Sequence, residues 1–371
     1  MTGIASNLQV VENDAQSPLH DLPIELLEWI LPYLESEDLF NLRLASTELA
    51  AKTVKYMAKT YFTWLHIFML DSSGISRLIW IAKHPVYKSA VKKIEFNVAV
   101  LQDPEEYEHD TWTDPLYLTP EKILKYRKLY ADHMDLRAQA RHRLKLVLNL
   151  FHLAGNVPAI SATTYGPLAL FMDCGHPSAW GVHYLFREHG DRVVVRGNGI
   201  VEQSVYAALC WAIFESAAQI GILNLGGLGH SIDPWLFGYA MLVLPHSAPF
   251  THLRSLTLSL PRQRWLNGLK GADMRENYQT IELNRIALLT LVSQAEKLEY
   301  LALTCDLGHD LEGNRECNAI FFRTLAEDQL PKYAKPLQHI IDMELECHEI
   351  PKAMLLKFHS ESQNNVEIAE S

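Results

Sequence analysis

The side chains best placed for chemistry are Cys174 with His176, His183 and His189, the pair Cys347-His348, and the turn Gly226-Gly227-Leu228-Gly229. Cysteine and histidine are zinc ligand types. A zinc site, however, takes them at tight spacings such as CxxC, or as histidines one helical turn apart, and this set has neither. They read as loop residues. Cys347 and His348 are adjacent, so on a strand they point to opposite faces and cannot chelate together. The glycine run follows an apolar stretch, as a phosphate-binding loop would. It lacks the third glycine of GxGxxG, and no Lys-Ser or Lys-Thr follows it. A tight turn after a strand accounts for it. Ser178 lies in His-Pro-Ser-Ala-Trp without the glycines of a nucleophile elbow, and the chain has no HExxH and no kinase-type set. The sequence assigns no catalytic, cofactor-binding or metal residue, and a non-catalytic protein is expected.

Composition narrows the classes further. The chain has 371 residues, 48% hydrophobic and 21% charged, which is enough for two domains. Its formal net charge of -11 repels phosphates, so no nucleic-acid partner is expected. Five scattered cysteines without a CxxC fit reduced thiols in a cytoplasmic or nuclear protein. The first residues carry neither a basic nor a continuous apolar region, unlike a secretory signal. Val205–Leu223 is the most apolar stretch, but Glu215, Ser216 and Gln219 interrupt it. A glutamate at mid-bilayer costs about 2.5 kcal/mol or more. A buried core helix is expected there, and no membrane partner.

The elements that would position any function begin at Leu19. Pro23 suits a first helical turn, and Glu25 and Glu28 sit near the positive end of the dipole. Ile24, Leu27, Ile30 or Leu31, and Leu34 recur at helical spacing, and Pro32 ends or kinks the helix. Ser36 opens a second helix through Leu39, Leu42 and Leu44, and Ser46 caps a third holding Leu49, Val54 and Met57. The first helix is apolar on two sides, because Leu26, Trp29 and Tyr33 lie off the Ile24–Leu27–Leu31 face. A helix apolar nearly all round is normally buried, so either the rest of the chain or a partner must cover the second face.

Leu22-Pro23-x-Glu25-Leu26-Leu27-x-x-Ile30, then Tyr33-Leu34, Asp38-Leu39, Leu42-Arg43 and Ser46, resembles the F-box in order and spacing. Trp64–Ile67, Arg77–Ile79, Ala82–Pro85 and Val91–Ile94 resemble the continuation found in many fungal F-box proteins. The resemblance covers residues 19 to about 96. It departs at Pro32 and at Thr47-Glu48, neither of which removes an apolar contact position. It implies that the helices dock to a Skp-family adaptor and through it to cullin and RING subunits, the adaptor covering the second face. Carried over, the adaptor-binding positions are Leu22, Pro23, Leu26, Ile30, Leu34, Leu39 and Leu42, some of which must be internal core.

From residue 90 a different unit recurs: an amphipathic helix followed by a short apolar strand. Strands are expected at Lys93–Val98, Ile160–Tyr165, Ile220–Leu225, Leu253–Leu260, Leu298–Thr304 and Leu337–Leu345, with Val193–Val195 as an extra one. The segments from His252, Lys297 and Pro336 share a template: an anchoring leucine, then alternating apolar and polar residues, as in leucine-rich-repeat strands. Helices are expected at Ile286–Ala295 and Phe321–Asp328. A long helix from Pro120 to about His152 follows an acidic, aromatic insertion at Leu101–Leu118. Helix–strand alternation argues for parallel strands.

The expected class is α+β, a three-helix F-box at 19–66 followed by an irregular leucine-rich-repeat-like α/β solenoid at 93–358. Residues 67–92 form a connecting helical segment whose Lys83–Lys92 portion acts as a linker, and 1–18 and 359–371 are flexible ends. The implied function is a substrate receptor of a cullin-RING ubiquitin ligase, with the repeats holding an unknown protein client on polar strand positions such as Arg254, Thr257, Glu299, Ala302 and Gln338. The alternative is an F-box scaffold that binds the adaptor without a degradative role.

Overall fold

Apolar residues at every second position of short segments, each preceded by a helix or a turn, meet the requirement of a parallel sheet with one apolar face. The structure, a computed structural model, describes residues 19, 21–69, 71–98, 100–101, 103–105, 119–163, 194–195, 200–225, 250–260, 295–305, 342–346 and 365–367. It divides into two units, Met1–Phe62 and Thr63–Ser371.

The first unit is helical: α1 (Ile24–Ile30), a 3-10 turn (Leu31–Tyr33), α2 (Ser36–Ala45), α3 (Thr47–Lys52) and α4 (Val54–Tyr61). The expected third helix is interrupted at Thr53, so there are four helices rather than three. Thr53 is fully buried, and its hydroxyl donates to the Leu49 carbonyl at 2.7 Å. A threonine bonding back one turn in this way bends a helix. Ser46, extended, accepts the amides of Glu48 and Leu49 and caps α3. Ser36 does not cap α2. Its hydroxyl instead accepts from Tyr61, at 2.9 Å.

In the second unit β1 (Trp64–Phe68), β2 (Lys93–Asn97), β4 (Ala159–Thr163), β6 (Ile222–Leu225), β7 (Ser255–Leu260), β8 (Tyr300–Cys305), β9 (Asp342–Glu346) and β10 (Asn365–Glu367) form one sheet in chain order, every pair parallel. β3 (Val100–Leu101) and β5 (Val194–Val195) form a separate antiparallel pair, which meets the expectation of a strand near Val193. The helices between strands are α5 (Ser72–Lys83), α6 (Pro85–Ala90), α7 (Pro120–Leu153) and α8 (Ile200–Glu215), and α7 packs against both α5 and α8.

One register row runs Leu65, Ile94, Ile160, Leu223, Leu256, Leu301, Met343 and Val366. Its first six members are buried. A second row joins Ile67, Phe96, Ala162, Leu225 and Leu258, all buried as well. The template of the sequence recurs in space: Val91, Ile220, Leu253 and Leu298, each three residues before a first-row member, are completely buried. Before β7 and β8 the same turn repeats, Leu253 N–H to Phe250 and Leu298 N–H to Ala295, both at 3.0 Å. The first-row members are 29, 66, 63, 33, 45, 42 and 23 residues apart, so the crossovers differ widely in length.

Four expectations need correcting. β1 lies across the expected junction between 19–66 and 67–92, because Leu65 and Ile67 belong to the sheet's apolar rows. The segment read as a linker is α6 and the approach to β2, a crossover inside the second unit. It is held by Lys92 N–H to Thr63 at 2.8 Å and by the Asn156 amide, which donates to the Lys88 and Val91 carbonyls. Asn365–Glu367, read as part of a flexible end, pairs with β9, and the register sets Val366 opposite Met343. Finally, the register places Met343 opposite Leu301, an offset of 42 residues, whereas the template that began at Leu337 implied 39. Residues 1–18, Leu337, the helices expected at 286–295 and 321–328, and most of 101–118 lie outside the described residues, Ala295 being in a turn.

The long helix is α7. It buries Tyr126, His133, Leu136, Ala140, Leu144, Val147, Leu148 and Phe151, which fall on one helical face. Thirty-four residues span about 51 Å, against roughly 17 Å for a five-residue strand, so α7 is far longer than the sheet is wide along its strands. It ends in a Schellman motif: Gly155 sits at φ +68, its N–H bonds His152, and Asn156 N–H bonds Phe151. α8 is the apolar stretch from Val205, buried at Leu209, Ala212 and Ile213, and it stops at Glu215. Among the described residues no helix is long and apolar enough to cross a membrane.

Leu256→Ala should cost about 2–5 kcal/mol by opening a cavity in the apolar rows. Thr257→Ala, on the other face of the same strand, should cost less than about 1 kcal/mol. Urea unfolding of the two variants measures the difference, and equal losses would contradict the division of faces.

Candidate docking surface and strand face

Helix α1 starts on Pro23, whose carbonyl accepts from Leu26 and Leu27, both at 3.1 Å. With that phase set, Leu27 and Leu31 turn inward and join Leu39, Leu49 and Met57 in a core, with Leu34, Leu42, Tyr56 and Tyr61 packed against it. Pro32 stops α1 at Ile30 and starts the 3-10 turn, which puts Leu31 inside and Ile30 outside. Leu26, Trp29, Ile30 and Tyr33 then form a stripe at positions i, i+3, i+4 and i+7. Their exposures are 49%, 77%, 39% and 88%. Amphipathic helices ordinarily bury such a stripe. On α2, Phe40 and Leu44 are exposed one turn apart, and Phe40 rests on Tyr61 with ring centroids 5.8 Å apart.

The helices beneath the stripe are fixed by part-buried polar ties. Arg43 reaches from α2 to the Ala50 carbonyl and the Thr53 hydroxyl, both at 2.8 Å. Lys52 pairs with Glu48 at 2.8 Å and donates to the Leu22 carbonyl at 3.4 Å, which holds the turn leading into α1. A surface on so braced a scaffold loses little backbone freedom on binding.

The seven positions carried over from the F-box resemblance fall into three groups. Pro23, Leu26 and Ile30 are exposed; Leu22, Leu34 and Leu42 are half-buried; Leu39 is buried in the core. Leu39 thus supports the surface from within, since α2 turns it toward Leu27 and Leu31. Trp29 and Tyr33 are the most exposed aromatics of the stripe and were absent from the carried set. The signal that finds them is their position off the Ile24–Leu27–Leu31 face.

In the second unit the sheet's other face carries the row His66, Glu95, Ser161, Asn224, Thr257 and Ala302. His66, Glu95 and Ser161 are buried, whereas Asn224 and Thr257 are half-exposed. Glu95 accepts from Lys93 at 2.8 Å, and His66 Nε2 lies 3.8 Å from its other oxygen. Lys93 also stands over the Trp64 ring at 4.4 Å. Histidine, glutamate and serine in one row invite a hydrolytic reading, and the order defeats it. Glu95 stands between the other two, so the backbones of Ser161 and His66 are two strand spacings, roughly 9.5 Å, apart. A serine nucleophile needs the imidazole as its own neighbour. The cluster closes the β1–β4 end of this face instead.

Farther along, Thr257 and Ala302 share the row, but Ala302, expected among the client-facing positions, is buried; Arg254 and Glu299 are exposed just before β7 and β8, 3.8 Å apart. Gln338, Cys174, Ser178, the nearby histidines, Cys347-His348 and Gly226–Gly229 lie outside the described residues. Among those described, no three His, Cys, Asp or Glu side chains converge as metal ligands. Cys210 is fully buried in α8, and burial pushes its thiol well above the usual range, which leaves it protonated and unreactive.

Leu31→Ala should destabilise the N-terminal helices by about 2–5 kcal/mol. Trp29→Ala and Tyr33→Ala should each stay within about 0.5 kcal/mol of the parent, as exposed positions do. Hydrogen exchange of the amides in 21–62 under native conditions reads both effects, and a Trp29→Ala loss as large as that of Leu31→Ala would refute the exposed placement. Compared with protein-family models, curated proteins and solved structures, the chain matches none.

Proposed function

We propose that the chain is a substrate-receptor subunit of an SCF-type cullin-RING ubiquitin ligase. In this reading the N-terminal helices are an F-box that docks to a Skp-family adaptor. The parallel sheet is an irregular leucine-rich-repeat-like solenoid that holds a protein client. Such a subunit makes and breaks no bonds; it raises the local concentration of the client beside the ubiquitin-loading enzyme, in the cytoplasm or nucleus.

The observation that carries the reading is the exposed Leu26, Trp29, Ile30 and Tyr33 stripe on a unit whose core is closed without it. Apolar anchors at i, i+3, i+4 and i+7 are how a helix docks into a partner's groove. They begin immediately after the Leu22-Pro23 turn that the F-box resemblance singles out. For the second half, the support is chain-order parallel pairing and the fourfold recurrence of a buried anchor three residues before each strand's first inward residue. Spacings of 23 to 66 residues between row members are compatible with a solenoid in which insertions leave the strand register intact.

The test is co-purification from cells with the full chain tagged, followed by titration of purified adaptor. Adaptor, cullin and RING subunits should come down together. The double variant Trp29→Ala, Tyr33→Ala should lose at least thirtyfold in adaptor affinity, because buried Trp and Tyr anchors are each worth about 2 kcal/mol or more. Adaptor without cullin would favour the non-degradative scaffold, and full adaptor retention by a folded double variant would end the docking proposal.

A further inference from the structure

The stretch Ser72 to Ile94, which holds α5 and α6, has no carboxylate and carries Arg77, Lys83, Lys88, Lys92 and Lys93. Five cations without an acid stand out in a chain of net charge -11. Lys93 is committed to Glu95 and Trp64. The side chains of Arg77, Lys83, Lys88 and Lys92 have no ion-pair partner among the described residues, and Arg77, Lys83 and Lys92 are exposed.

On α5, Ile75, Leu78, Ile81 and Ala82 are buried, so Ser73, Ser76, Arg77, Trp80 and Lys83 share the outward side. Trp80 is 53% exposed. It does not swing freely, because its ring lies 5.6 Å from His84 and 5.2 Å from Tyr87, and those two stack at 4.1 Å. His84 is itself held by accepting the Tyr87 N–H on Nδ1. Asp71 caps α5 through the amides of Ser73 and Gly74, which fixes the helix that presents the patch. A braced, half-exposed tryptophan with a cation three residues to either side is the make-up of a binding anchor: large contact area, little side-chain entropy to lose, and a charged rim.

We propose that this outward side of α5, with the adjoining α6, docks an acidic peptide segment that lays one apolar side chain on Trp80 and its carboxylates on Arg77 and Lys83, with Lys88 of α6 and Lys92 after it extending the positive charge. Charge complementarity selects the acid. A short peptide matches a local patch of four unpaired cations. A long polyanion such as a nucleic acid would instead carry most of its charge past these residues, into the field of an otherwise acidic molecule. The surface stands on α5 and α6 alone, so it holds whether or not the N-terminal helices bind an adaptor.

The probe is a fluorescein-labelled twelve-residue peptide rich in glutamate with one central phenylalanine, titrated against the full chain at low ionic strength by anisotropy. Arg77→Glu with Lys83→Glu should weaken binding at least tenfold. Trp80→Ala should weaken it severalfold, with Trp80→Phe recovering part of the loss, and Lys55→Glu on the N-terminal unit should leave it unchanged. A glutamine-for-glutamate peptide should bind at least tenfold more weakly. Circular dichroism checks that the exposed-site variants remain folded. No binding of the acidic peptide, equal binding by the Lys55 and the Arg77/Lys83 variants, or tighter binding of a twelve-nucleotide single strand through the same residues would each overturn the proposal.

Discussion

The second unit depends on one constraint: parallel hydrogen-bonding register carries an apolar residue of each strand to the same level as the next. Leu65, Ile94, Ile160, Leu223, Leu256 and Leu301 are each buried, and a slip of one residue in any strand would send its whole apolar set to the opposite face. That is why strands whose row members lie 29 or 66 residues apart in the chain can be equivalent. The penalty for a longer connection grows only slowly with length, while the penalty for misregister falls on every side chain of the strand at once. The same rows include β1 and β10, two short strands at opposite edges of the sheet, with Leu65 and Ile67 of β1 buried.

The polar face follows from that register rather than from independent design. Once the leucines are inward, His66, Glu95, Ser161, Asn224 and Thr257 are carried together on the other side. At the β1–β4 end the polar groups are buried, and Glu95 is held by the partly exposed Lys93; removing that lysine would leave a buried carboxylate without its cation. Toward β6 and β7 the row opens to half-exposed asparagine and threonine, where side chains are free to differ without disturbing the core. The proposed client-binding role falls on that part.

In the N-terminal unit the deciding interaction is the phase of α1 relative to Pro32. Ending the helix at Ile30 sends Leu31 into the core and leaves Ile30 beside Leu26 and Trp29. Arg43 and Lys52 then lock α2 and α3 beneath it by bonds to backbone carbonyls. Two apolar faces on one short helix are thereby separated, one for its own core and one outward.

Much of this was legible in the sequence. Helices at 24–30 and 120–153, strands near 93, 160, 222, 255 and 300, and the two-faced character of α1 all follow from the spacing of apolar residues, because periods of 3.6 and 2 are local properties of the chain. What only the tertiary structure decided is which apolar residues are core. Ile30 and Leu31 are equivalent by pattern, and so are Leu39 and Leu34, until a partner helix is placed against one of each pair. Trp64–Phe68 reads as the tail of a helical module until β2 pairs with it. Register is likewise invisible in sequence, since Leu337 and Met343 are both plausible starts and only hydrogen bonding to β8 places Met343 opposite Leu301. Local pattern determines the period of each segment; the phase between segments is set by contacts far apart in the chain.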